Sequence, residues 1–101
     1  MKSTRSKACD IPQQVKSEVW ERDKHRCVVC GSPYAMPNAH FRSRANSGMG
    51  VAKNIVTLCF KCHYNYDQTP KRQQYKTFIE NYLKSKYIDW SEDDIIYKKG
   101  L

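Results

Sequence analysis

Two cysteine pairs stand out in the sequence, Cys27-Val28-Val29-Cys30 and Cys59-Phe60-Lys61-Cys62. Two thiols separated by two residues can grip one ion, and two such pairs make a closed four-thiolate shell of the kind zinc takes. A closed shell leaves no open coordination position, so the zinc it holds is structural. The fifth cysteine, Cys9, stands apart and reads as a free thiol in a tail. His63 follows Cys62 directly. Four cysteines need no fifth protein ligand, so His63 needs another task. If a helix begins near Phe60, His63 and Asp67 lie four residues apart on one face, one turn from each other. An imidazole and a carboxylate so placed can share a divalent cation. Spacing alone fits equally well a histidine that caps the knuckle and a solvated surface acid. His40 and Asn54 complete the polar set, with thirteen residues between them and eight between Asn54 and His63.

The elements that must position these groups are read from the same sequence. Twenty-eight residues separate Cys30 from Cys59, more than the roughly 15–20 of an ordinary zinc ribbon. Something folded is therefore expected between the knuckles. "MPNAHFR" reads as a short strand carrying His40, "SRANSGMGVAK" as a loop, and "NIVTL" as a second strand opened by Asn54. Upstream, Asp10 is placed to cap a helix, with Gln13 as its capping-box partner and Pro12 in the first turn. Ile11, Val15 and Val19, with Trp20 beside them, give that helix an apolar stripe to about residue 23. His25 reads as a surface or hinge histidine. Downstream, Tyr75, Phe78, Ile79, Tyr82 and Leu83 predict an amphipathic helix over about 71–86 with its aromatics in the core. Its other face carries Lys71, Arg72, Lys76, Lys84 and Lys86. Ser91 is placed to cap a last short helix with Asp94 at its third position. The expected organisation is a flexible basic tail over 1–9 and one α+β domain over 10–101, with a core at about 27–68 and C-terminal helices within 71–98.

The chain has 101 residues and a mean hydropathy of -0.81. A chain of this size buries only about two-thirds of its unfolded surface, so a metal staple matters to its stability. Lys and Arg number 18 against 10 Asp and Glu, for a formal charge of +8. Four thiolates remove four charges and Zn²⁺ restores two, leaving +6. Such a balance favours a polyanionic partner, nucleic acid first. No stretch approaches the ~18 apolar residues of a membrane span, and the N-terminus lacks the apolar segment of a secretory signal. Disulfides are unusual in a reducing compartment, so a cytoplasmic, metal-binding reading of the cysteines is expected.

The motifs "CVVC", "AHFRSR", "GMG" and "NIVTLCFKCHYNYD", within residues 18 to 67, resemble the HNH endonuclease family in its small, zinc-stapled version common in phages and prophages. The resemblance implies a ββα-metal fold: a two-stranded hairpin crossed by a helix, with flanking N- and C-terminal helices. It implies that His40 is the general base, that Asn54 holds the loop and orients His40, and that His63, with Asp67 as a second ligand, binds a catalytic divalent cation such as Mg²⁺ or Mn²⁺. Arg42 and Arg44 would clamp DNA phosphate. The implied activity is metal-dependent hydrolysis of double-stranded DNA to a 5′-phosphate and a 3′-hydroxyl, in the cytoplasm of a bacterial host cell. Many relatives carry Asp, Glu or His just before the first histidine, where this chain has Ala39. Along a strand Asn38, not residue 39, shares the face of His40.

Two other functions use the cysteines and the basic surface without His40, Asn54 and His63. One is a zinc-dependent DNA-binding module without chemistry. The other is an interaction domain, for example one docking on phage DNA-packaging proteins. The presence of all three polar residues favours the endonuclease.

Overall fold

Residues 35–40 and 55–59 pair antiparallel as a two-stranded sheet, β1 (Ala35–His40) and β2 (Ile55–Cys59), in a computed structural model that describes residues 3–98. β2 is buried along its whole length, as its β-branched and apolar side chains favour. The register shifts by one residue between Met36 and Ala39, so Pro37 and Asn38 together stand opposite Thr57. Pro37 has no amide hydrogen to give the ladder, and a bulge is where a strand tolerates it. Past the bulge the alternation resumes. Ala39 is fully buried in the core, while Asn38 and His40 line a cleft on the other face.

Four helices surround the sheet: α1 (Thr4–Cys9), α2 (Gln13–Arg22), α3 (Phe60–Gln68) and α4 (Arg72–Lys86). Short 3-10 turns lie at Arg44–Asn46, Ala52–Asn54 and Glu92–Ile95. Ala39 from β1, Val56 and Leu58 from β2, Tyr66 from α3 and Ile79 and Leu83 from α4 belong to one buried cluster, closed by Trp90 and Ile95. The architecture is a small α+β fold.

A buried polar hub joins three of these elements. Asp23 accepts hydrogen bonds from the Thr57 amide of β2 and the Tyr82 hydroxyl of α4. Arg22 pairs with Asp23 and donates to the Ala52 and Ile55 carbonyls. Burial opposes the Arg22 charge, but Asp23 outweighs it and holds the guanidinium protonated. The buried Thr57 hydroxyl, by contrast, has no hydrogen-bond partner among the described residues.

Several expectations are corrected. Residues 4–9, expected within a flexible tail, form α1; Cys9 is a free thiol as expected, but it is fully buried at the end of this helix. Arg5 holds this helix down by donating to Ser47 Oγ and to the Arg44 and Ala45 carbonyls. Asp10 closes α1 instead of opening α2, which starts after Pro12 with no side-chain cap. In α4, Ile79 and Leu83 are buried but Phe78 is exposed. At 100° per residue Phe78 lies at the edge of the apolar arc, about 100° from Ile79. Trp20 is half-buried and stacks on His25, ring centroids 4.9 Å apart. Ser91 does cap a last turn, but its hydroxyl accepts from the Asp93 amide and the turn is 3-10. The segment after residue 87 works inside the fold: Trp90 donates to the Lys53 carbonyl, and Met49 and Tyr97 exchange backbone bonds with Ile95 and Ser47.

Asp23→Ala should destabilise the protein by about 3–5 kcal/mol, because it strands a buried guanidinium. Thr57→Val should be neutral or stabilising, since it removes only an unpaired hydroxyl. Urea unfolding of the two variants checks both signs.

Candidate functional site

Both knuckles are built by local hydrogen bonds. The Gly31 amide donates to the Cys27 carbonyl at 2.9 Å, and Gly31 takes a φ of +80°, a left-handed conformation that glycine adopts without steric cost. The Val28 amide donates to the Thr57 carbonyl, tying the first knuckle to β2. In the second knuckle Cys59 ends β2 and caps α3, its sulfur accepting from the Cys62 amide at 3.4 Å.

The four sulfurs of Cys27, Cys30, Cys59 and Cys62 all lie within 4.8 Å of one another, and those of Cys30 and Cys59 are 3.6 Å apart. A zinc tetrahedron with bonds of about 2.3 Å has edges of about 3.8 Å, whereas a disulfide needs about 2.05 Å. Burial raises the Cys27 thiol pKa, but the amides of Cys30, Cys59 and Val29 outweigh it and bring the thiol down to about 7. Burial, and then the adjoining Cys59, push Cys62 well above the ordinary thiol range. Thiolates this close repel one another unless a cation sits among them. The four cysteines thus form a group able to hold a structural metal ion such as zinc.

Because Cys59 starts α3, the helix phase is set from the knuckle. His63 and Asp67 fall one turn apart on a partly exposed face, with His63 Nε2 3.1 Å from Asp67 Oδ2. At this distance the imidazole and the carboxylate are in direct contact as a hydrogen-bonded or ion pair, and both are group types that can bind a divalent cation. Among the described residues, no third His, Cys, Asp or Glu joins them as a cluster.

His40 ends β1. Its Nε2 lies 2.9 Å from the Cys9 carbonyl oxygen. A carbonyl only accepts, so the proton sits on Nε2 and Nδ1 carries the free lone pair. Burial lowers the His40 pKa below 6.5; the Cys9 carbonyl and Asp67 work against this, and Arg44 and His63 with it. The imidazole is therefore neutral at pH 7, as a base must be. Its cleft is lined by Asp10, Lys16, Asn38 and Arg44. Asn38 also lines the neighbouring groove that contains His63, so the two histidines flank it.

Asn54 is fully buried and pins the loop. Its Oδ1 accepts from the Arg42 amide at 2.7 Å, and its Nδ2 donates to the carbonyls of Arg42 and Met49. These bonds tie the start of the loop to its middle and its end. The expected hydrogen bond to the His40 side chain is replaced by the Cys9 carbonyl. The loop passes so close that a Cβ on Gly48 would stand 1.7 Å from the Arg42 carbonyl oxygen.

The two arginines separate. Arg44 lies in the cleft of His40 and pairs with Asp10 at 2.6 Å. Arg42 turns away, to Glu92 at 3.3 Å and the Asn46 carbonyl. Of the two, Arg44 is the one that lines the cleft of His40. Sequence reasoning missed Lys16 and the Cys9 carbonyl. Basic residues are common, and a backbone carbonyl has no sequence signal, so tertiary packing alone identifies them. No family model matches the chain, and no curated protein or solved structure matches it either. Among the described residues, no helix is long and apolar enough to cross a membrane.

Purified protein should carry about one zinc per chain by elemental analysis. Cys59→Ser should lose the metal and, with it, much of the folded circular dichroism, because metal binding and folding are coupled in domains of this size.

Proposed function

We propose that this chain is a metal-dependent HNH-type endonuclease that hydrolyses DNA phosphodiester bonds, leaving a 5′-phosphate and a 3′-hydroxyl. The observation that carries the reading is the pairing of two kinds of group across one short unit. A neutral histidine with a fixed tautomer, His40, stands on β1, and a histidine–carboxylate pair, His63 and Asp67, stands on α3. β1, β2 and α3 supply the hairpin and helix of a ββα-metal core, and the four cysteines supply its structural zinc site.

In this reading His40 Nδ1 takes the proton of the attacking water, while Nε2–H stays anchored on the Cys9 carbonyl. Asn54 keeps the loop after β1 at one distance from β2. Arg44 and Lys16 bind the flanking phosphates and offset their charge. His63 and Asp67 would hold a divalent cation, which would supply Lewis-acid stabilisation of the charge that develops on the phosphate. Ala39 is compatible with this assignment. Its position is sealed in the core, so an acid there could reach the cleft of His40 only by rearranging the strand.

The reading is tested by nicking of supercoiled plasmid in Mg²⁺ or Mn²⁺. His40→Ala should lower the rate by at least about a hundredfold, in keeping with the usual 10²–10⁴ of general base catalysis, with zinc content and the circular dichroism of the folded protein retained. Cleavage by His40→Ala at the parent rate would sink the assignment. The protonated imidazole cannot act as a base, and the His40 pKa lies below 6.5. The rate should therefore hold at neutral pH and fall on acidification with a midpoint below 6.5.

A further inference from the structure

Six large apolar side chains are exposed among the described residues, and four of them gather around His63. Tyr34 is 88% exposed, Phe60 87%, Met36 61% and Tyr64 53%. Tyr34, Met36 and Phe60 line a groove together with His63 and Asn38. Phe60 and Tyr64 line a second depression with His63 and Asp67. The fold has no use for these side chains. Phe60 is the first residue of α3 and Tyr34 follows the first knuckle, and neither enters the buried core. Apolar surface left in water at this density marks a binding surface.

Two features select the occupant. The patch is continuous with the His63–Asp67 pair, so its ligand also lies against that pair. The two depressions themselves are lined by no Lys or Arg and by one carboxylate, Asp67, but the chain carries a formal charge of +8 and Lys61, next to Phe60, is exposed, so the overall charge favours a polyanionic ligand. A polyanion that also offers flat π faces is a nucleic acid with its bases unstacked, which binds by stacking on exposed aromatic side chains. Bases in an intact duplex are already stacked on their neighbours and offer only their edges in the grooves.

Resting on the endonuclease reading, we infer that Tyr34 and Phe60, supported by Met36 and Tyr64, form a stacking platform for an unpaired nucleobase next to the phosphate at His63. The preferred substrate is DNA with unpaired bases, a single strand or a junction, over continuous duplex. The phosphate is held by the basic residues and the base by the aromatic ones, so the two contributions are separable.

The test uses zinc-loaded His40→Ala protein, in which binding is read without cleavage. Fluorescence anisotropy compares a labelled single-stranded oligonucleotide, the same strand built of abasic sites, and a duplex. The base-bearing strand should bind about tenfold more tightly than the abasic strand, as expected for stacking of one base, and more tightly than the duplex. Adding Tyr34→Ala and Phe60→Ala should bring the base-bearing strand down to the abasic level and leave the abasic strand unaffected. Both side chains are solvent-exposed, so melting temperature should not move. Equal binding of the base-bearing and abasic strands would overturn the platform. So would unchanged binding after the double substitution, which is the result expected if the patch docks a protein. The two readings fail separately. Base-dependent binding, with no cleavage by the parent protein of either plasmid or single-stranded oligonucleotide in Mg²⁺ or Mn²⁺, removes the endonuclease alone, and base-independent binding with cleavage of either removes the platform alone.

Discussion

Four thiols crowded within 4.8 Å are the constraint on which the rest of the molecule depends. The chain leaves this point at Cys30 and must return to it at Cys59, so the 28 residues between are a closed loop. Cys59 has three tasks at once: it ends β2, it caps α3, and its sulfur belongs to the cluster. That coincidence leaves α3 no freedom to rotate, and the rotation of α3 decides where His63 and Asp67 point. A small core cannot supply this fixity alone, because a domain of this size retains too much surface.

The other side of the cleft is fixed by polar groups instead of metal. Asn54 spends its buried amide on the backbone of Arg42 and Met49, joining both ends of the loop. Such a buried amide costs free energy unless it is hydrogen-bonded, so its three bonds favour a single loop conformation. Chain segments from outside the hairpin finish the job. α1 lies against the loop through Arg5 and supplies the carbonyl that fixes the His40 tautomer. The C-terminal stretch bonds the loop at Met49 and Ser47. The close approach at Gly48 is the steric counterpart of these bonds.

Much of this was legible in the sequence. The cysteine spacing pointed to one four-thiol cluster, the β-branched run to a buried strand, and the i, i+4 spacing to the pairing of His63 with Asp67. These signals are local, carried by residues whose neighbours in sequence are their neighbours in space. What was illegible depends on long-range packing. The basic character of residues 1–9 suggested a flexible segment, because nothing in it announces that Arg5 will meet Ser47 and the loop carbonyls. The Arg42–Glu92 pair spans 50 residues, and its partner could not be guessed. Pro37 read as an ordinary strand residue, while its missing amide proton accompanies the bulge that sets which face His40 shares with Asn38. The orientation of Ala39 was legible, since strand alternation turns residue 39 away from the face of His40, and its side chain is buried in the core.

We propose that one metal, held by the four cysteines, organises the fold, and that a second binds at His63 and Asp67. Anomalous diffraction from crystals of the zinc-loaded protein soaked in Mn²⁺ distinguishes the two sites. A zinc peak is expected among Cys27, Cys30, Cys59 and Cys62, and a separate manganese peak bonded to His63 and Asp67. Manganese at any other place, or cysteines joined as disulfides around no metal, would contradict the proposal.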